Sequence, residues 1–509
     1  MNSIASKCTI RSLLTVCLFA SACSNNSHQP PEQSGTGGSS AGITGISGGM
    51  DGYEFGAGGT GGFYSGALGG TGANAGTNTS AATGGTRGGS GVGGVIDNGT
   101  GGIIDSGVID GGIDSGISNV GGIGGDGGAG GSSVVSGGYA ENTGADCQVS
   151  GGALEKNPEL PDPFAMHDGN RITTKAQWKC RRDEIKADIE KYEIGPKPEP
   201  SQTTVAATLS GNNLSVEVTS SSGSLILTSA VSGSGSCVVI GMNMDLALVS
   251  GCTKLTFSAN DVVSYAMNST QNPSDPFYKV FPSLWGKIGN YTAWSWGVSR
   301  LIDGLEQVKD KLKIDMTKIA THGCSYAGKM SLFAGAMDER VALTIVQESG
   351  GGGINSWRTS QDFTTRTGTN IEKIDNTNYS WFMPSMKTLD PYSLPHDHHE
   401  LIAMIAPRAT IILGNPGYEW LGDESGYKST MAAAEIFKAM GVADHIGYDF
   451  TGGHTHCLAA ASQVTSVNTF VDRFLKGTGT SSDVAINPSG TTFDLDYSKV
   501  IDWTTPNLQ

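Results

Sequence analysis

Thr321-His322-Gly323-Cys324-Ser325-Tyr326-Ala327-Gly328-Lys329 decides how this chain is read. It follows the apolar Lys318-Ile319-Ala320, which has the character of a strand. It precedes Met330-Ser331-Leu332-Phe333-Ala334-Gly335-Ala336-Met337, which has the character of a helix. A serine pinned between glycines on a sharp strand-to-helix turn is a nucleophile elbow. The turn exposes the hydroxyl, and the backbone N–H groups that follow can stabilise an oxyanion. The second glycine, Gly328, falls one position later than in Gly-x-Ser-x-Gly. Two other segments support the reading. An apolar run over 341–346 leads into Gln347-Glu348-Ser349-Gly350, and Gly453-His454-Thr455-His456-Cys457 lies far downstream.

Outward from the elbow, strand and helix patterns alternate. Residues 175–192 carry Trp178, Ile185, Ile189 and Tyr192 at helical intervals, and 203–218 and 224–231 alternate like antiparallel strands. Strand character continues at 238–248 and 253–257, and a helix is expected over 293–312. Beyond the elbow come an apolar 401–405 segment, a strand at 409–413, a helix at 429–440, a strand near 446–450 and a helix at 461–475. This order predicts one α/β domain over 147–509, an α/β-hydrolase built as a three-layer sandwich with a mostly parallel central sheet flanked by helices. Tyr497, Val500, Ile501 and Trp503 predict that the last segment packs back on that domain.

The remaining 146 residues differ in kind. Residues 1–22 read as a signal peptide, with Lys7 and Arg11 before the apolar 13–20 run, which is too short to span a bilayer. Ala20-Ser21-Ala22-Cys23 resembles a bacterial lipobox, which would make Cys23 the site of lipid attachment and tether the chain to a membrane. Residues 23–146 are rich in Gly, Ser, Thr and Ala, with Arg87 as the one basic side chain against ten acidic ones. They read as a disordered tether. The Ile-Asp pairs at 96–97, 104–105, 109–110 and 113–114 are too irregular for a calcium-binding β-helix and read as low complexity. Of the formal charge of −16, the tether carries −9 and the 147–509 domain −9, offset by the signal. No basic patch suggests nucleic acid as a partner. The expected location is secreted or cell-surface, lipid-anchored to a bacterial membrane, and the expected state is a monomer.

An ester hydrolase needs a nucleophile, a base, a carboxylate to orient the base, and oxyanion donors. Ser325 is the candidate nucleophile. His456 is the preferred base, with His454 and His322 as competitors. Glu348 is the preferred acid, and Glu419, after a later strand, is held in reserve because most hydrolases of this fold place the acid there. Six cysteines at 147, 180, 237, 252, 324 and 457 imply disulfides in an exported chain, with fifteen connectivities open. Pro395-His396-Asp397-His398-His399-Glu400 has the composition of a metal cluster. It lies at a helix start with Asp397 as cap, and successive histidines on a helix point apart, so a structural role is preferred. No metal and no cofactor is expected.

Several motifs occur together in order. They are Gly323-Cys324-Ser325-x-x-Gly328-Lys329, Asp338-Glu339-Arg340, Gln347-Glu348-Ser349-Gly350-x-Gly352-Gly353 and Trp357-Arg358. To these add Trp294-x-Trp296-Gly297-Val298-Ser299-Arg300, Asp397-His398-His399-x-Leu401, Ala406-Pro407-Arg408, His456-Cys457, Cys180-Arg181-Arg182 and Ile501-Asp502-Trp503. Across about 147–508 the chain resembles the glucuronoyl esterases, family 15 of the carbohydrate esterases. The resemblance implies a Ser325–His456–Glu348 triad. It also implies a Cys324–Cys457 bridge that clamps base beside nucleophile, and a Cys147–Cys180 bridge. A third family bridge would need a cysteine at Ser356, so Cys237 and Cys252 are expected to pair locally instead.

The implied reaction is hydrolysis of the ester between glucuronoyl or 4-O-methyl-glucuronoyl residues of xylan and lignin alcohols, so glucuronoxylan and lignin-carbohydrate esters are the implied partners. Sugar contacts carry over to Lys329 and Trp420. Three positions depart from the family pattern. Tyr326 stands where an oxyanion-assisting arginine is usual, Glu372 near a glutamine contact, and Asn378 near a glutamate contact. These departures keep two alternatives open: a hydrolase of acetyl or feruloyl esters, and a non-catalytic carbohydrate-binding descendant.

Overall fold

The computed structural model describes residues 140–509 apart from 145–146, 150, 245–246, 268–269 and 490–491. The signal, Cys23 and nearly all of the expected tether lie outside the described residues.

Three antiparallel strands open the sheet: β1 (Thr204–Ser210), β2 (Asn213–Thr219) and β3 (Ser224–Gly233). Side chains alternate between buried and exposed along β2 and β3, and between half-buried and exposed along β1, because one face meets helices and the other water. The remaining strands are β4 (Val238–Met242), β5 (Thr253–Phe257), β6 (Ile319–Cys324), β7 (Val341–Gln347), β8 (Ala409–Leu413), β9 (Ile446–Asp449) and β10 (Ala485–Ile486). The spatial order is β1-β2-β3-β5-β4-β6-β7-β8-β9-β10, and every pairing from β5 to β10 is parallel. The β4/β5 exchange sets β4 directly beside β6, the strand that leads to Ser325. β4, β6 and β8 are buried along their whole length, as covered parallel strands must be.

Eight α-helices accompany the strands among the described residues: α1 (Gln177–Ile189), α2 (Pro276–Val280), α3 (Asn290–Leu312), α4 (Tyr326–Met337), α5 (Trp357–Thr367), α6 (His398–Ala403), α7 (Asp423–Ala439) and α8 (Ala461–Val471). The sheet's pleat divides the interior into two cores. Val238, Ile240, Val346 and Ile412 join the larger one with α3, α4 and α7. Val239, Ile345, Ile411 and Leu413 face Val467, Phe470 and Val471 of α8. Trp503 and Leu508 are buried, so the tail does pack back on the domain.

Sequence and structure part in several places. The long strand expected over 238–248 stops at Met242, because Asn243 takes a positive φ of 50° that breaks the extended backbone. Helix α7 starts at Asp423, ahead of the expected 429. Gly422 at φ 64° turns the chain there, and Asp423 and Glu424 sit favourably in the first turn. Asp397 caps α6 in a capping box with Glu400, as its position suggested. At the other boundary, Glu141 pairs with Lys197 and Arg300 at 2.5 Å each, so the domain's ion pairs reach back before 147.

Three disulfides are present: Cys147–Cys180, Cys237–Cys252 and Cys324–Cys457. Ser356 instead meets the Ser429 hydroxyl at 2.8 Å, a buried hydrogen bond between two oxygens.

Candidate active site

Ser325 sits between β6 and α4 at φ 59°, ψ −129°, a conformation that costs a non-glycine residue about 1–3 kcal/mol. Its neighbours explain the glycine spacing. A Cβ on Gly323 would lie 1.9 Å from the Ala327 carbonyl oxygen, and one on Gly328 would lie 2.5 Å from that of Gln347. The late glycine is therefore required where α4 crosses the end of β7, and the position before it tolerates Ala327. The Ser325 N–H donates to the Gln347 carbonyl at 3.0 Å, tying elbow to strand. Tyr326 opens α4, so its N–H is one of the helix-start donors without an intrahelical acceptor.

Glu348 is the first residue past β7. It is buried, with φ 44°, and its N–H donates to Leu413 on β8 at 2.7 Å. Its Oε2 lies 2.7 Å from His456 Nδ1. Its Oε1 accepts from Gln347 Nε2 at 3.0 Å and from the Cys457 N–H at 3.1 Å. Asn415 Nδ2 adds a longer contact to Oε2 at 3.4 Å. With Nδ1 committed to the carboxylate, Nε2 of His456 is the nitrogen left for a proton from serine. Cys324 and Cys457 have Cα atoms 5.6 Å apart, and a ring nitrogen of His456 lies within 4.8 Å of both sulfurs. The bridge thus brings the His456 loop to the end of β6, one residue from Ser325. Both sulfurs are consumed by that bond, so Cys324, His456 and Cys457 are no metal set.

The competing histidines are held by other partners, although His454 Nδ1 lies 3.9 Å from Glu348 Oε1. His322 is buried in the sheet 3.3 Å from Gln347 Oε1, and burial pushes its pKa down to about 4. His454 Nε2 meets the Thr451 carbonyl at 2.8 Å, and its Nδ1 meets Asn415 Nδ2 at 3.1 Å. Glu419 is exposed in a short turn, while Asn415 occupies the loop immediately after β8. In the histidine-rich segment, His396 and His398 both contact Glu193, at 3.0 and 2.7 Å, and His399 Nε2 contacts the Pro161 carbonyl at 2.9 Å. Asp397 binds Arg358 at 3.1 Å, so these side chains knit the core together.

One turn into α4, Lys329 is buried and its ammonium is ion-paired with Glu372, whose other oxygen accepts from Thr377 Oγ1 at 2.6 Å. The ammonium also lies 5.0 Å from the centre of the Trp381 ring. Asn378 donates to the Ala266 carbonyl at 2.6 Å and accepts from Ser380 Oγ at 2.8 Å, so it braces the loop beside this pair. Trp420 is 48% exposed and stands edge-on to His456 with centroids 4.8 Å apart. Tyr418 Oη accepts the His456 N–H at 3.1 Å. Tyr326 packs on Tyr265 at 4.1 Å and stacks with Trp381 at 6.1 Å, and its hydroxyl accepts from Asn243 Nδ2 at 2.8 Å. Burial raises the Tyr326 pKa above that of an ordinary phenol. Sequence reading missed Asn243, Tyr265, Trp381, Asn415 and Tyr418. Each lies in a loop with no local motif and enters only through tertiary contact.

Comparison with known proteins bears on this geometry. The model of the fungal glucuronyl esterases matches residues 207–441. The 4-O-methyl-glucuronoyl methylesterase of Hypocrea jecorina is 36% identical over 378 residues, covering 72% of this chain and 80% of that protein. The chain belongs to the glucuronoyl esterase family. The Thermothelomyces thermophilus 4-O-methyl-glucuronoyl methylesterase is 38% identical over 352 residues, 66% of this chain and 87% of its own. A solved glucuronoyl esterase from Sporotrichum thermophile, a serine-to-alanine mutant in complex with methyl 4-O-methyl-β-D-glucopyranuronate, superposes with a TM-score of 0.65. It is 36% identical, covering 71% of this chain and all of that one.

Proposed function

We propose that this glucuronoyl esterase family member is a serine esterase that cleaves the ester between glucuronoyl or 4-O-methyl-glucuronoyl residues of xylan and lignin alcohols. The observation that carries this reading is the clamp at the end of β6. His456 is held on Glu348 through Nδ1 and fastened next to the elbow by Cys324–Cys457. Ser325 Oγ attacks the C6 carbonyl while His456 Nε2 takes its proton. The tetrahedral intermediate collapses as His456 passes that proton to the leaving alcohol oxygen. Water, deprotonated by the same nitrogen, then releases the acid and restores Ser325. Glu348 holds the imidazole in the required tautomer and stabilises its protonated form.

The Tyr326 N–H and phenol face the developing oxyanion, Lys329 and Glu372 form the sugar-hydroxyl wall, Asn378 braces the loop beside it, and Trp420 is an exposed platform. Lys329 and Glu372 neutralise each other, which suits recognition of uncharged hydroxyls in that wall. The Ser21-Ala22-Cys23 sequence supports export and a lipid anchor at Cys23, tested by mass spectrometry of the mature N-terminus. The activity is tested by hydrolysis of a benzyl ester of glucuronic acid beside acetyl and feruloyl esters, with Ser325→Ala as control. Serine-dependent cleavage of the glucuronate ester is expected. Cleavage of only the other esters, or binding of glucuronoxylan without turnover, would overturn the reading.

A further inference from the structure

Tyr326 can serve as an oxyanion donor only if its proton points at the substrate. A phenol hydrogen can lie on either side of its C–O bond in the ring plane, so something must select the side. The structure assigns that task to Asn243, as a positioning residue whose amide hydrogen bond turns the Tyr326 O–H toward the reacting carbonyl. This inference rests on the reading of Tyr326 as an oxyanion donor.

The fold places Asn243 where this matters. It is the first residue past β4, the strand beside β6, and the loop leaving that strand supplies the second side of the oxyanion hole in this fold. The Asn243–Tyr326 hydrogen bond therefore bridges the two sides of the hole, from the residue after the nucleophile to the loop opposite.

The orientation of the amide is fixed independently. Asn243 Oδ1 accepts the Ala259 N–H at 2.8 Å, so the group that meets the phenol is Nδ2, which only donates. The phenol oxygen must then accept, and its own hydrogen is directed away from Asn243. Packing against Tyr265 and Trp381 fixes the ring, which leaves the hydroxyl torsion as the remaining freedom. A phenol keeps that hydrogen at neutral pH, and burial shifts Tyr326 further in the same direction. The positive φ of Asn243 suits asparagine better than most residues.

The test is a double-mutant cycle on kcat with a benzyl glucuronate ester. Asn243→Asp tolerates the same backbone and keeps an oxygen for Ala259, but replaces the donor facing the phenol with a carboxylate oxygen that accepts. The phenol then donates to that carboxylate and its proton is lost to the substrate. In the parent enzyme, Tyr326→Phe should lower kcat by about tenfold or more with KM little changed, as for other oxyanion-hole donors. In the Asn243→Asp background the same substitution should cost less than about twofold. Both measurements of the Tyr326→Phe effect are made at constant charge, so the new carboxylate's field cancels.

An equal cost in both backgrounds would overturn the positioning role, even if Asn243→Asp lowered stability. No cost in the parent would instead remove Tyr326 as a donor and the inference with it, so the two failures are distinguishable. If Asn243→Asp does not fold, Asn243→Gly, which accepts the same φ, takes its place in the cycle. The Tyr326→Phe cost should then fall because the hydroxyl is left to rotate, and an undiminished cost would overturn the role.

Discussion

Replacing Glu348 by glutamine changes one oxygen to nitrogen at the acid of the site, and the structure dictates which one. Oε1 receives two donors at 3.0 and 3.1 Å, from Gln347 Nε2 and the Cys457 N–H. Only the amide oxygen can satisfy both, so the amide nitrogen is forced toward His456 Nδ1. The longer Asn415 contact at 3.4 Å opposes this arrangement too weakly to reverse it. His456 Nδ1 must then accept, its proton moves to Nε2, and the nitrogen that should deprotonate Ser325 becomes a donor.

The charge is lost as well. With charge centres about 4 Å apart and an effective dielectric of about 20, the carboxylate–imidazolium attraction is about 4 kcal/mol, or about a thousandfold in rate. Both effects act in the same direction, so kcat should fall by about 10³–10⁴ in Glu348→Gln, the range seen when a triad acid becomes an amide. The assay is steady-state hydrolysis of the benzyl glucuronate ester at neutral pH, with thermal unfolding recorded to show an intact fold. A folded variant within tenfold of the parent would refute the reasoning, and a large loss in Glu419→Gln would then move the acid to the later turn.

Other substitutions probe the surrounding supports. Cys324→Ser with Cys457→Ser opens a loop of sequence separation 133 and should lower unfolding free energy by about 2–5 kcal/mol in urea titration, with kcat falling as the base drifts. Lys329→Met strands Glu372 in a largely buried wall. It should raise KM and cost about 2–4 kcal/mol, read by kinetics and denaturant unfolding, whereas a change in neither would remove the pair from the sugar wall. Burial holds His322 and His399 near a pKa of about 4, below their unfolded value of 6.5. The unfolded chain therefore takes up protons first, and stability is full above pH 6.5 and lost as pH falls toward 4. Each site contributes at most about 3 kcal/mol. Urea unfolding at pH 4.5, 5.5 and 7 should show that loss, and His399→Asn should reduce it.

The parts legible in the sequence are those fixed over a few residues. The elbow could be read because its turn demands glycine on both sides of Ser325, and Glu348 because it ends an unmistakable apolar strand. The βα alternation gave the sheet's parallel half for the same reason. Asn243 defeats local reading, since an asparagine at positive φ ends a strand whose apolar pattern continues to Leu248. Helix α7 hides its start behind Asp423, Glu424, Ser425 and Gly426, and β10 is two residues paired with β9. The aromatic wall of Tyr265, Tyr326 and Trp381 spans 117 positions of sequence and is assembled by the fold alone.

The Cys324–Cys457 bond also has a temporal meaning. The nucleophile and base strands are laid down well apart during synthesis, and the covalent link between their loops forms only when two thiols give up electrons to an oxidant. Completion of the site is thereby coupled to the redox state of the compartment the chain reaches. A chain held in a reducing environment would carry Ser325, Glu348 and His456 while lacking the fastening that ties the His456 loop to the end of β6.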